Sequence, residues 1–347
     1  MYTDEDLQAA VKGGILDQST ADSFRRYVAA LNHSEMADEE NFQLLSGFND
    51  IFVTIAALLL LVSAGWLGFF ITPALGFFIA ATLSWLLSMH FVSKRRLALP
   101  AVVFLFAFVF SSGCAAVTML IPLGAALEYA FIVGSAIAVA AAWLHWLIFR
   151  VPITVAAGLL SMLACIFFLV ASFYPAIQDH ILVYMGGCGL AAFVLAMYWD
   201  AQDIKRNTSK SDVAFWLHML AAPLIVHPVY KGLGIHDGEA SVARLVIIIG
   251  LYVLLALVSV VIDRRALMVS ALAYVLYALT ALLKSYGMVG TGFSAAGVAL
   301  GLMLLLLSAF WHKVRHHLLR QLPEAWRYYL PAAPGDGPRV AISLEGR

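Results

Sequence analysis

Hydrophobic residues occur in ten long runs between residues 51 and 311, separated by short polar segments. Each run is close to the roughly 20 residues that a helix needs to cross the hydrocarbon core of a bilayer. Inside that core every backbone polar group must be paired within its own segment, so such runs are helical. The pattern predicts an all-α, polytopic transmembrane bundle of about ten spans. The runs are Ile51–Phe70, Pro73–Phe91, Leu97–Leu120, Leu127–Phe149, Pro152–Tyr174, Ile181–Trp199, Val213–Tyr230, Ala243–Ile262, Ala266–Leu283 and Gly287–Trp311.

The composition agrees with a chain embedded in the lipid bilayer. Hydrophobic residues make up 63% of the 347 residues, and only 12% are charged. The mean hydropathy of +0.90 excludes a water-soluble globular protein. Because 21 basic residues balance 21 acidic ones, the chain lacks the basic surface that binding to nucleic acid requires.

Basic residues follow every second apolar run, and this asymmetry predicts an orientation. Cytoplasmic loops carry an excess of Lys and Arg, so the pattern predicts that both termini lie in the cytoplasm. An even number of spans agrees with that prediction. The opposite connections contain only Lys231, Arg244 and Lys284. The basic clusters are Lys94, Arg95 and Arg96, then Arg150, then Lys205, Arg206 and Lys210, then Arg264 and Arg265, then Lys313, Arg315 and Arg320.

The residues outside the spans divide into three segments. Residues 1–31 read as a small cytoplasmic two-helix head, in which Gly13 and Gly14 stop the first helix and Ser19 with Asp22 forms a capping-box pattern for the second. Residues 32–48 form an acidic linker and an amphipathic junction that leads to the spans at 49–311, and residues 312–347 form a basic cytoplasmic tail. We expect the acidic head to meet either the basic tail or a protein partner, or the tail to lie against anionic headgroups.

The head carries the segment GGILDQSTADSFRRYVAAL, followed by a junction and then many spans. In this layout the chain resembles the bacterial predicted membrane proteins grouped as domain-of-unknown-function family 2157. The resemblance implies a multi-pass protein of the bacterial inner membrane. That family has no assigned activity, so the resemblance carries no catalytic residue across.

The segment Tyr198–Lys231 contains most of the chemically active side chains of the spans. Pro223 and Pro228 lack an amide hydrogen and clash with the preceding turn, so they are predicted to kink or break the seventh span. Broken helices expose backbone groups to substrates in transporters. The candidate ligand-binding residues are Asp200, Asp203, Asp212, Trp216, His218 and His227.

Each candidate also has a structural interpretation. The two histidines can be neutral imidazoles hydrogen-bonded to a neighbouring helix. The acidic residues can belong to a solvated loop, balanced by Lys205, Arg206 and Lys210, and Asp212 can cap the seventh span. His90 and His145 lie near basic residues, which favours anchoring at the membrane interface together with Trp85, Trp143 and Trp146.

The spacing of residues gives no indication of a redox, metal-binding, cofactor-binding or catalytic site. Cys114, Cys165 and Cys188 lie in apolar runs as free thiols. We expect no metal site, no cofactor and no enzymatic activity, because no zinc, phosphate-loop or hydrolase motif is present. The glycines of the sixth and tenth runs, including Gly297 and Gly301, favour close helix packing.

No Asp, Glu, Lys or Arg lies in the middle of an apolar run, which argues against an antiporter driven by a central carboxylate. The first hypothesis is therefore transport or binding of a small neutral or amphipathic solute, centred on the seventh span. The alternative is a membrane scaffold or sensor whose N-terminal head recruits a partner. An intramembrane enzyme acting on a lipid is a third hypothesis, for which no paired acid and base can be assigned.

Overall fold

A computed structural model describes residues 11, 13–24, 48–203, 208–232, 242–264, 272, 275, 276, 279 and 291–323. The chain divides into two units, residues 1–42 with 334–347 and residues 43–333. The ninth apolar run, Ala266–Leu283, lies almost entirely outside the described residues, as do the linker and most of the basic tail.

Long α-helices account for nearly all of the described part of the second unit, and no strand occurs among the described residues. A π-helical turn, Ser88–Val92, extends the second helix. The helices are α1 Phe48–Phe69, α2 Pro73–Leu87, α3 Ala98–Leu120, α4 Leu127–Phe149, α5 Ile153–Phe173, α6 Ile181–Gln202, α7 Ser209–Gly232, α8 Val242–Ile262 and α9 Thr291–Gln321.

Seven helices of the described chain, α1 to α7, are long and apolar enough to cross a membrane. They correspond to the first seven apolar runs, and the chain is a multi-pass membrane protein. The apolar part of α8 is shorter, at Val246–Ile262. The arrangement in ten spans therefore stays a prediction.

Short connections make consecutive helices antiparallel, and α1 to α5, and then α6 with α7, pack as sequential neighbours. α2, α4 and α6 consequently finish at the same end of the bundle. We call it the basic end, because Lys94, Arg95, Arg96 and Arg150 follow α2 and α4 there. Arg96 and Arg150 adopt left-handed backbone conformations, with φ of 53° and 52°, which stop the helical path where each span finishes.

α7 is the most enclosed of the seven candidate spans. Half of its apolar window is buried, against 22 to 28% in each of the other six. It packs on α6 and α5, and through Val226 and Tyr230 on Ile248 and Tyr252 of α8. Neighbouring helices therefore cover α7 more completely than any other candidate span among the described residues.

Of the kink or break predicted for α7 at Pro223 and Pro228, the break does not occur. Helix Ser209–Gly232 is continuous, with Pro223 and Pro228 inside it. Each proline removes one helical hydrogen bond, but packing against neighbouring helices can hold a membrane helix together at such a position. At Gly189 of α6, an added Cβ would lie 2.8 Å from backbone atoms of Leu224 and Ile225, next to Pro223. The close approach of α6 thus supports α7 beside the first proline.

The glycine predictions have a mixed outcome. Gly189 confirms close packing of the sixth run, whereas a Cβ on Gly187 would meet nothing within 4 Å. Gly297 and Gly301 of α9 also have open space around them among the described residues. The three cysteines are free thiols, as predicted, and all are half-buried.

In the first unit, residues 18–24 are helical and follow a turn at Gly13 and Gly14. Gly14 has a φ of +70°, a conformation that favours glycine. The helix begins one residue after Asp17, so Asp17, rather than Ser19, occupies the capping position. Hydrogen bonds from the Ser19 and Thr20 side chains lower the pKa of the Asp17 carboxyl. The two-helix head as a whole stays a prediction.

Candidate functional site: a buried charged cluster at the basic end

Asp200 near the end of α6 and His218 within α7 meet between the two helices. Side chains in an α-helix tilt toward its N-terminus. In these antiparallel helices, the tilt directs Asp200 into the bundle and His218 toward the basic end. The Nε2 atom of His218 donates to Oδ2 of Asp200 over 2.9 Å. Two of the predicted residues are therefore brought together.

Arg264 completes the cluster from the end of α8. After Ile262, Asp263 takes a left-handed φ of 57°, and the amide of Arg264 donates back to the carbonyl of Ser259 over 2.9 Å. The hydroxyl of Ser259 donates to the carbonyl of Arg264. Such a C-terminal turn ends the helix and satisfies one of its last carbonyl groups. It turns Arg264 back toward α6 and α7.

The guanidinium of Arg264 binds both oxygens of the Asp200 carboxylate. Its Nη2 lies 2.5 Å from Oδ1, and its Nε donates to Oδ2 over 3.3 Å. Nη2 also lies 3.2 Å from both the carbonyl and the hydroxyl oxygen of Ser211 in the first turn of α7. One arginine therefore links three segments of the chain: α6, α7 and the end of α8.

The cluster is enclosed by protein. His218 is 0% exposed, Arg264 2% and Asp200 5%. Removing charged groups from water costs several kcal/mol per ion, and only good geometry with additional hydrogen bonds offsets that cost. The bidentate pairing of Arg264 with Asp200 provides such geometry. With His218 neutral, the cluster has no net charge.

A second buried pair adjoins the first. The indole Nε1 of Trp311 donates to Oδ1 of Asp263 over 2.7 Å, and Nε of Arg315 lies 3.9 Å from the same oxygen. Trp311, Arg315 and Leu319 form the buried stripe of the last turns of α9. Leu319 belongs to a cluster with Ala222 of α7 and Ile262 of α8. The end of α9 is thereby joined to the same region.

The expected solvated loop of acidic residues is wrong for Asp200 and Asp203, both of which are buried. Oδ2 of Asp203 accepts from the amide and the hydroxyl of Thr208, over 2.8 and 2.6 Å. The one described lysine of the predicted balancing set, Lys210, donates to Gln202 instead. Lys205 and Arg206 lie outside the described residues.

Asp212 does not cap α7. The helix begins at Ser209, and the hydroxyl of Thr208 accepts from the amide of Lys210 over 3.3 Å. Asp212 lies in the first turn of α7, where a negative charge is favourable near the positive end of the helix dipole. It is half-buried near the cluster, without a direct contact to His218 among the described interactions.

Trp216 lies on a different side of α7 from His218, and His227 lies further along the helix. Trp216 packs against Leu217 and its buried neighbours, on the side of α7 that faces α5. His227 is half-buried and lies nine residues beyond His218, roughly 13 Å further along the helix axis. The structure therefore does not unite the two predicted histidines in one site.

Arg264, Ser211 and Asp263 were not predicted as site residues. Arg264 was read only as part of a basic cluster that sets orientation. The available signal was the opposite charge of Asp200, because the sixth and eighth runs end on the same predicted side of the membrane. The pairing also requires the turn at Asp263, which no motif in the sequence indicates.

A role of His145 in anchoring at the membrane surface is not supported, because its side chain is buried, whereas His90 is exposed. His145 is fully buried in α4, with Nδ1 3.3 Å from the hydroxyl of Thr154 in α5. Its Nε2 has no hydrogen-bond partner in the described residues. The rings of Phe149, Phe108 and Trp85 surround it, with centroids 4.6 to 6.5 Å away. His145 therefore belongs to an aromatic core.

Among the described residues, no group of three His, Cys, Asp or Glu side chains is placed to hold a metal ion. Asp200 and His218 instead use their facing atoms for each other and for Arg264. The arrangement can bind or release protons and can join or separate three segments of chain. It does not contain a nucleophile paired with a base.

No family model, curated protein or solved structure matches the chain. The resemblance of the head to domain-of-unknown-function family 2157 gains no support from these comparisons and stays a prediction. The function is therefore inferred from the geometry of this chain's own residues.

Proposed function

We propose that this multi-pass membrane protein binds and moves a small neutral or amphipathic solute, with α7 at the centre and the Asp200–His218–Arg264 cluster beside the path. The proposal includes ten spans in a bacterial inner membrane, with both termini in the cytoplasm. The basic end then faces the cytoplasm.

The observation that carries the proposal is the buried charge itself. Ionisable side chains are costly within membrane segments, and those that occur there commonly mark substrate or proton pathways. Asp200 lies in α6 and His218 more than two turns inside α7, both in helices able to span a bilayer. Because Asp200 and Arg264 neutralise each other, the cluster favours a solute without net charge.

A purely structural role for the cluster makes a different prediction. If the charges only hold the helices together, conservative substitutions lower stability and membrane abundance. Any solute-dependent phenotype then weakens only as much as the abundance falls. If the cluster contributes to transport or binding, the same substitutions change the phenotype while the protein remains abundant. The solute-dependent growth phenotype and the membrane abundance must therefore be measured together.

The test uses a bacterial host that lacks its own copy of the gene and expresses H218Q or D200N. Growth is measured against a panel of neutral solutes and toxic amphiphiles, and membrane abundance by immunoblot. Matched controls are H180Q and D179N, because His180 and Asp179 are exposed at the opposite end of α6. We expect H218Q to lose any solute-dependent phenotype at wild-type abundance. A phenotype that follows abundance in every variant would contradict the proposal.

The scaffold or sensor hypothesis stays a second candidate, because the described part of the head exposes apolar side chains. Ile15 is 79% exposed and Phe24 41%. Exposed apolar residues of this kind can bind a cytoplasmic protein partner. Deleting residues 1–41 should then abolish a cellular phenotype while leaving the spans in the membrane, and an unchanged phenotype would contradict this candidate.

A further inference from the structure

We propose that His218 is a proton-binding site, and that uptake of one proton by His218 loosens the link between Arg264 and Asp200. This inference rests on the proposed function and deepens it, because it names the proton as the ion coupled to solute movement. It follows from three features of the cluster: the tautomer of His218, the shared oxygen of Asp200, and the side from which water reaches it.

The tautomer follows from the partner of Nε2. The Asp200 carboxylate is held by Arg264 on both oxygens, so it acts as an acceptor only. Nε2 of His218, 2.9 Å away, must therefore carry a hydrogen even when the imidazole is neutral. The next proton consequently adds to Nδ1. It comes from water and returns to water, so the charge of the three side chains together changes from zero to +1.

The shared oxygen is Oδ2 of Asp200. It accepts from Nε2 of His218 over 2.9 Å and from Nε of Arg264 over 3.3 Å. Protonation makes the histidine a second cation at this one atom. Its hydrogen bond to the carboxylate strengthens, and like charge opposes Arg264. Arg264 has an alternative acceptor in Ser211, so it can move away from Asp200 without losing all of its hydrogen bonds.

The charged groups around the cluster favour a protonated histidine. Among the described residues of the elements that meet at this end, four carboxylates and two guanidiniums are buried or half-buried, whereas the cations Lys210, Lys313 and Arg320 are exposed to solvent. Asp200 and Asp203 belong to α6, Asp212 to α7, Asp263 and Arg264 to the end of α8, and Arg315 to α9. The excess of negative charge stabilises an imidazolium. By contrast, no carboxylate contacts His145 among the described residues, so the two buried histidines should titrate differently.

The proton reaches His218 from the basic end. Asp200 and Asp203 retain slight exposure there, whereas His218 has none. On the α6 side the ring of Phe193 lies 5.4 Å from the His218 ring, centroid to centroid, and covers it from deeper in the bundle. Because Arg264 holds the end of α8 against α6 and α7, its release on protonation would free that end.

The experiment is magic-angle-spinning NMR of the full chain, labelled with ¹⁵N-histidine and embedded in bilayers of phosphatidylethanolamine and phosphatidylglycerol. Imidazole nitrogen shifts report protonation directly, and no solute is needed. We expect one buried histidine to titrate between about pH 5 and 8, the range typical of this side chain. That signal should be missing in H218Q and present in H145Q and H180Q.

Two further variants test the mechanism, each measured on the protein that is recovered folded, and the shift in D200N assigns the signal to His218 if H218Q is not recovered. D200N removes the anion, so the His218 midpoint should fall by about one pH unit or more. R264Q removes the competing cation, so the midpoint should rise by a similar amount. A His218 signal that stays neutral from pH 5 to 9, or a midpoint unaffected by both substitutions, would overturn the inference.

Different results would reject the transport proposal and the proton-binding proposal. Titration of His218 without any solute-dependent phenotype would reject the transport proposal and leave the proton site standing. A solute phenotype that depends on His218, with no titration, would reject proton coupling alone.

Discussion

His145 and His218 are both fully buried in helices able to span a membrane, yet their surroundings differ completely. His145 in α4 contacts a hydroxyl group and three aromatic rings. His218 in α7 contacts a carboxylate that an arginine also binds. The same residue type thus belongs to an apolar core in one region and to an ionic cluster in the other.

The difference shows that two kinds of interaction hold this bundle together. In α2 to α5, rings and small residues fill the space between helices, and a buried polar group is tolerated without a charged partner. At the basic end of α6 to α9, ion pairs join segments that are distant in sequence. Dispersion packing is insensitive to protonation, whereas ion pairs respond to it. Only the second region can therefore act as a switch of the kind proposed.

The largest expected effect is at Arg264. The substitution R264Q leaves the Asp200 carboxylate buried without its cation, and breaking a buried pair in this way costs about 3–5 kcal/mol. We expect a large loss of thermal stability and of membrane abundance. The double variant R264Q/D200N should recover much of that loss, because no unpaired charge remains.

The control for this series is R95Q, since Arg95 is exposed at the same end of the bundle. It should unfold at the wild-type temperature in a detergent thermal-shift assay. If the double variant were no more stable than R264Q, the charge pair would not be what stabilises this end.

A smaller effect is expected at Trp311, whose indole donates to Asp263 over 2.7 Å. W311F replaces the indole with a smaller phenyl ring and removes this hydrogen bond to a charged group, which is worth about 1.5–3 kcal/mol. Thermal unfolding should therefore occur at a lower temperature. The matched variant W143F alters an exposed tryptophan and should have little effect. Equal unfolding temperatures for the two variants would show that the hydrogen bond between Trp311 and Asp263 does not stabilise the basic end.

The smallest effect is expected in the aromatic core. The double variant H145F/T154V replaces both members of a buried polar contact with apolar side chains of similar shape, a change that is commonly close to neutral. Its unfolding temperature should stay near that of the wild type or rise. A destabilisation as large as that of R264Q would mean that His145 is also part of a polar network. The aromatic core around His145 and the charged cluster around His218 would then not differ in the way described.

Much of the helical layout was predictable from local patterns. The fourth run was predicted at residues 127–149, which are the bounds of α4. The seventh run was predicted to begin at Val213, but α7 begins at Ser209, because the polar residues Ser209 to Asp212 form a first helical turn that hydropathy does not register. Pro223 and Pro228 do not break α7, since the effect of a proline depends on the neighbours that support the helix around it.

The candidate site was predictable only in part. Asp200 and His218 were identified by their residue types, but His227 and Trp216 were included for the same reason and lie elsewhere. Arg264 was missed because its partner is 64 positions away along the chain. His145 was assigned to the interface because Arg150 follows it closely, although burial depends on the side of the helix that a residue occupies within the bundle.

The sequence alone was sufficient to determine that this chain is helical, embedded in a membrane and without the motifs of common catalytic sites. Those properties depend on the hydrophobicity and spacing of about 20 consecutive residues, so each can be read from a single segment of the sequence. Tertiary structure alone decided which charges are buried together and which histidine faces a carboxylate. The reason is that the Asp200–His218–Arg264 cluster is built from three segments whose proximity depends on helix packing and on the turn at Asp263.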